Sequence, residues 1–205
     1  MSTNMHIQRV VKNMALSVHK TVCADEVWRT IISPDTYELY ENQMNTYIPF
    51  FVTVTNSSLN EVITGLARFS DKRKDAAKAE KLFKLLEKGD FCQNVISDLR
   101  AQYEKHNEVW VKLRTLRNEV LAHSSAHQSE VEVFRKVGIT PNDISAAVTT
   151  AREIMVDVSR LVGIKDSIIF ETKGKAATDT IKLLKNLKAG NDARLKLRSE
   201  YGVCS

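Results

Sequence analysis

Chain breakers are scarce in this sequence, with 7 glycines and 3 prolines among 205 residues. That scarcity argues against a loop-rich or many-stranded architecture and predicts long helices. Cysteine is also sparse. Cys23, Cys92 and Cys204 are odd in number and far apart. They encode neither a disulfide framework nor a zinc site, which fits a reducing, cytoplasmic setting. No run of about 18 apolar residues occurs, so no membrane span is expected. The N-terminus lacks the basic-then-apolar pattern of a signal peptide. Phosphate-cradling glycine loops, Ser-x-x-Lys motifs and paired catalytic carboxylates are missing as well. His6, His19 and His106 read as isolated from acidic or cysteine partners at ligand spacing, so neither a metal nor another cofactor is expected. No internal repeat or low-complexity segment is present.

What remains is a globular composition, 43% hydrophobic, in a chain long enough for one full core. The net charge of +5 is compatible with a polyanionic partner without requiring one. Most of that excess lies near the C-terminus. Lys173, Lys175, Lys182, Lys185, Lys188, Arg194, Lys196 and Arg198 face only Asp179 and Asp192 between residues 173 and 198. Ile181, Leu184 and Leu187 make this tail an amphipathic helix, with Gly190-Asn191 as its expected stop. It suits either a solvated, partner-facing helix or an RNA-binding arm. The expected organisation is a helical bundle over residues 1–163 followed by a basic helical extension over residues 164–205.

Apolar spacing carries the helix assignments. Ile7, Val10, Val11, Met14 and the apolar residues from Leu16 to Val18 mark a first helix to about Lys20. Val27, Trp28, Ile31 and Ile32 mark a second, short one. Ser33-Pro34-Asp35 is a helix restart, with a capping residue, a proline at the first position and an acid in the first turn. Pro49 either kinks this third helix or divides it from the next. Residues 51–55 alone suit a strand. However, Val54, Leu59, Val62, Ile63 and Leu66 continue a helical stripe and no partner strand is visible, so residues 50–69 are expected to be helical. Residues 71–81 form a charged connector that suits a solvated turn or a phosphate-contacting patch. A short helix at residues 82–86 ends at Gly89-Asp90. The longest helix is expected from Phe91, with Val95, Leu99, Tyr103, Trp110, Leu113, Leu116 and Val120 on its buried stripe. A short helix over residues 131–137 is closed by Gly138. Thr140-Pro141 then opens a last core helix, with Ile144, Val148, Ala151, Met155, Val158 and Leu161 facing inward, and Gly163 ends it.

The candidate chemistry lies in residues 113–125, LRTLRNEVLAHSS. Arg117 carries a permanent forked cation suited to a phosphate. His123 can take and return a proton near neutral pH, and Asn118 can hold either group by hydrogen bonding. These residue types suit cleavage of RNA by its own 2′-hydroxyl. On a regular helix, six residues at about 100° place Arg117 and His123 roughly 120° apart. One undistorted helix therefore cannot aim both at one phosphate. Either the helix ends near Ala122, or a second copy of the chain completes the site. Arg114, one turn before Arg117, suits surface charge or a second phosphate contact. His127 could stand in for His123, although a loop histidine is usually solvated. A helix-terminal histidine can equally be a cap partner, and an arginine near it simply solvated.

Arg117-Asn118, four residues and His123 resemble the Arg-polar-x(n)-His motif of the HEPN superfamily. Upstream, Phe50-Phe51 leads through Gly65-Leu66-Ala67-Arg68-Phe69-Ser70-Asp71 to Leu82-Phe83-Lys84-Leu85-Leu86. That order is similar to the AbiU2-like branch of the superfamily, and residues 140–163 resemble its closing helix. The resemblance covers roughly residues 26–163. It implies an all-α, up-and-down bundle of about five main helices, in a homodimer. It also implies a metal-independent endoribonuclease of a phage-defence or toxin system, with Arg117, Asn118 and His123 catalytic and an antitoxin protein as a possible partner. The alternative is a non-catalytic helical module with the same fold that binds RNA or protein. Arg68 and Asp71 match the branch's second motif. They suit a structural ion pair or cap, or support of the site with Arg68 on the substrate. Relatives paired with a nucleotidyltransferase antitoxin carry a tyrosine two residues after the histidine. Here Ser125 stands at that position, so control by tyrosine modification is not expected.

Overall fold

The computed structural model describes residues 3–71, 78–121, 130–171 and 173–201. Among them every regular element is helical: α1 (Thr3–Ile32), α2 (Pro34–Thr46), α3 (Ile48–Phe69), α4 (Ala79–Glu87), α5 (Gln93–Glu104), α6 (Asn107–Leu116), α7 (Glu130–Val137), α8 (Pro141–Leu161) and α9 (Lys175–Tyr201). A π-helical turn, Arg117–Leu121, follows α6, and a 3-10 turn, Ile168–Phe170, precedes α9. The expected all-α bundle is what forms. None of the described helices is long and apolar enough to cross a membrane.

The longest helix is α1, which lies at the centre. It packs along α3 on one side and α8 on another, and it touches α2, α4 and α9. The sequence predicts two helices here, but the structure has one. No glycine or proline interrupts residues 3–32, and the β-branched Thr21 satisfies its hydroxyl within the helix by donating to the Ser17 carbonyl at 3.2 Å. Ile7, Val11, Met14 and Val18 enter the core with Val62, Ile63 and Leu66 of α3 and Ile144, Val148, Ala151 and Met155 of α8. Leu16, expected on the apolar face, is exposed.

Residues 50–69 are helical, as the stripe predicts. Thr53 and Thr55, the residues most suggestive of a strand, donate to the Pro49 and Phe51 carbonyls one turn back at 2.7 Å each. Pro49 divides α2 from α3 rather than bending one long helix. Ser33 occupies the N-cap of α2 but makes no side-chain capping bond. Thr140 caps α8 in full, with a reciprocal capping box to Asp143.

The helix expected to run unbroken from Phe91 breaks between α5 and α6. There the Tyr103 carbonyl accepts from the His106 N–H at 3.2 Å and from the Trp110 indole N–H at 2.9 Å, in place of the Asn107 amide of a continuous helix. Ile96 rather than Val95 is buried on the first segment, whereas Leu99, Tyr103, Trp110, Leu113 and Leu116 are buried as expected. The Val120 side chain lies outside those described.

The first half of α9 folds onto the bundle. Leu184 is fully buried in a second cluster with Ile31, Tyr40, Met44 and Phe51, flanked by Ile181 and Leu187. The helix continues past Gly190, where a stop was expected, to Tyr201. Its N-terminus is held by the Glu26 carboxylate of α1, which accepts from the backbone N–H groups of Gly174 (2.6 Å), Ala176 (3.0 Å) and Ala177 (3.4 Å). Anionic capping of a helix start is worth about 0.5–2 kcal/mol. Glu26→Ala should therefore speed hydrogen exchange at the amides of residues 176–178 with little change in α3 or α8. Unchanged exchange there would show that the cap does not hold the tail.

Candidate active site

The site begins with the buried face of α6. Trp110, Leu113 and Leu116 are fully buried. Their spacing leaves Arg114 and Arg117, one turn apart, at the edge of that face and opposite the C-terminus of α3. There Ser70 is buried and its hydroxyl donates back to the Leu66 carbonyl at 3.0 Å. Asp71 comes next, with its side chain only 5% exposed. A carboxylate so enclosed requires a partner. The Arg117 Nη1 supplies one at 3.3 Å. Arg114 Nη1 donates to the Ser70 carbonyl at 2.9 Å. The two guanidinium groups thus close the end of α3, where the helix dipole favours cations.

Arg117 is also held from its own helix. Its Nε and Nη2 donate to the Asn118 Oδ1 at 3.1 and 2.9 Å. Among the described residues three of its five N–H groups are engaged, which leaves one on Nη1 and one on Nη2 for an anion. The Arg117 side chain is 23% exposed, enough for a ligand to reach. The π-helical turn begins at this residue. Such turns admit an extra residue and shift every following side chain relative to an α-helix. The 120° offset of an undistorted helix therefore does not apply beyond Arg117.

The structure brings Arg117, Asn118, Arg114 and Asp71 together. Arg68 is placed on the last turn of α3 with an exposed side chain, and its carbonyl accepts from the Asp71 N–H at 3.2 Å. Asp71, which the motif pairs with Arg68, has its carboxylate on Arg117. His123, Ser125 and His127 lie outside the described residues. The Asp71–Arg117 contact spans 46 residues, beyond the reach of any local spacing rule. Its only sequence signal is an acid placed just past an apolar helix end.

A family model, AbiU2 of the HEPN group, matches residues 7–172. The chain belongs to the AbiU2 family of HEPN proteins. The match begins well before residue 26, where the motif resemblance starts, and continues past Gly163 into the segment preceding α9. No curated protein and no solved structure matches the chain. Family membership fits the all-α bundle, and both motif regions, residues 65–71 and 117–123, fall within the match.

Elsewhere, His19 Nε2 approaches Cys23 Sγ at 3.8 Å, one turn along α1. His19 therefore has a cysteine neighbour, contrary to the isolation expected from sequence. Burial lowers the pKa of His19 and raises that of Cys23. Among the described residues no group of three or more His, Cys, Asp or Glu could hold a metal. Asp25, also on α1, is buried; its Oδ1 has no hydrogen-bond partner among the described residues, and its pKa is pushed up to about 6, chiefly by desolvation.

Proposed function

We propose that this AbiU2-family chain is a metal-independent endoribonuclease of a phage-defence or toxin system, cleaving RNA at a composite site shared by two copies of the chain. The observation that carries this reading is the Arg117 guanidinium, fixed between buried Asp71 and Asn118 at the π-helical turn, with two N–H groups unengaged among the described residues. In this reading Arg117 anchors the scissile phosphate and stabilises the charge that develops on it. Asn118 sets the plane of the guanidinium. His123 removes the proton of the 2′-hydroxyl or delivers one to the departing 5′-oxygen. A homodimer supplies two histidines, so that base and acid are separate groups. The phosphorus–O5′ bond breaks as the phosphorus–O2′ bond forms, and the product ends in a 2′,3′-cyclic phosphate. Arg114 and Arg68 contribute further phosphate contacts, and a neighbouring antitoxin protein would hold the activity silent.

The test is single-turnover cleavage of a structured RNA in EDTA, with the end groups of the products identified. Cleavage leaving cyclic phosphate and 5′-hydroxyl ends is expected. An inert wild type, or 5′-phosphate products, would rule the mechanism out. One observation favours a second reading. The Arg117–Asp71 pair ties α6 to α3 whether or not RNA is present, so the same contact suits a non-catalytic module that binds RNA or protein.

A further inference from the structure

A cleft of about 450 Å³ opens beside the Arg117–Asp71 pair and shares Ser70, Asp71 and Arg114 with it. That volume is within the range of small-ligand sites. Lys81 and Lys84 of α4 and Lys78, the residue before it, line the cleft together with Tyr103 and Asn107. The acids of the cleft are already committed. Glu80 Oε2 accepts from Arg100 at 3.0 Å and Asp71 from Arg117. The three lysines make no ion pair among the described residues. The local balance is therefore strongly cationic.

Tyr103 adds an independent observation. It is only 6% exposed, and its ring is stacked on Trp110 with centroids 5.4 Å apart. Its hydroxyl has no hydrogen-bond partner among the described residues, and the charges of Arg114 and Glu80, both in the cleft wall, act on it. Burial pushes its pKa up to about 12, so it stays a donor at neutral pH. Tyr103 lines the cleft, so this donor is open to a ligand there.

We propose that this cleft is a binding subsite for the RNA strand beside the scissile phosphate, with the lysines on neighbouring phosphodiesters and Tyr103 and Asn107 on the nucleotide between them. The identity of the ligand rests on the ribonuclease reading, whereas the cationic cleft does not.

Two measurements separate them. Binding of a short, uncleavable single-stranded 2′-O-methyl RNA is followed by fluorescence anisotropy across a salt series, and cleavage of the unmodified RNA is followed alongside. Lys81 and Lys84 are exposed, so the double variant Lys81→Gln/Lys84→Gln should fold. It should bind at least about tenfold more weakly, with a log–log salt slope shallower by about 1.4, or about 0.7 for each phosphate no longer neutralised. Tyr103→Phe should weaken binding about fivefold, as expected for one neutral hydrogen bond, with the slope unchanged. Wild-type affinity and slope in the lysine variant, in a protein that cuts RNA, would overturn the subsite and leave the ribonuclease standing. Lysine-dependent binding without cleavage would uphold the subsite and remove the ribonuclease. A wild type that binds no RNA overturns the subsite directly.

Discussion

Replacing Arg117 by alanine should slow single-turnover RNA cleavage by about a hundred- to a thousandfold, the usual cost of removing one well-placed donor to a developing anion. The same change removes the guanidinium from the buried Asp71 carboxylate, and losing one partner of a buried charge costs about 1–3 kcal/mol of stability. Diminished activity could then reflect a damaged fold. Two further variants separate these effects. Asp71→Asn removes the charge that needs neutralising, so Arg117→Ala/Asp71→Asn should recover most of the stability missing from Arg117→Ala and none of its cleavage. Arg117→Lys keeps a cation beside Asp71 but not the fork that spans Asp71, Asn118 and a phosphate. It should melt near the wild type and still cleave at least about tenfold more slowly. His123→Ala should slow cleavage about a hundredfold or more, as expected for a general acid or base. If the double variant cuts RNA as fast as the wild type, Arg117 does not anchor the phosphate.

Arg117 and Asn118 were legible as a pair because they are neighbours in the sequence. Asp71 was not legible as the partner of Arg117. It lies 46 residues away, and only the packing of α6 across the end of α3 brings the two together. The π-helical turn was equally hidden, since no residue type in Arg117–Leu121 demands it. At the break between α5 and α6 the Tyr103 carbonyl is shared by the His106 amide and the Trp110 indole, an arrangement that apolar spacing does not encode. At Gly138, Gly163 and Thr140 expectation and structure coincide, whereas at Gly190 they do not. Gly138 and Gly163 close their helices at φ 62° and 73°, where a side chain would be strained, and Thr140 forms the expected capping box.

Glycine inside a helix costs about 1 kcal/mol relative to alanine, so Gly→Ala at Gly65 and at Gly190 would have the same sign if propensity alone decided. Opposite signs are expected. Gly65 lies where α3 meets α1, and a Cβ there would stand 1.9 Å from the Thr21 Oγ1 and 3.1 Å from the Thr21 Cβ. Rotating Thr21 can move its hydroxyl but not its Cβ, so the two helices must part. Overpacking of this kind costs about 1–3 kcal/mol, which outweighs the gain in propensity. Gly65→Ala should lower the Tm, by about 2–4 °C for each kcal/mol of destabilisation in a chain of this size. Adding Thr21→Ala removes the hydroxyl and methyl but keeps the Cβ at 3.1 Å, so it should restore only part of the loss. At Gly190 a Cβ meets nothing within 4 Å, and the backbone is helical with no positive φ. Gly190→Ala should therefore stabilise the second half of α9 by up to about 1 kcal/mol, measured as slower amide exchange over residues 188–197. Had the helix ended at Gly190 in a left-handed cap, as its sequence suggests, the same substitution would be strained and exchange would quicken. Faster exchange at Gly190→Ala would mean that the basic helix stops there after all, and an unchanged or higher Tm at Gly65→Ala would mean that α1 and α3 are not in close contact at Thr21.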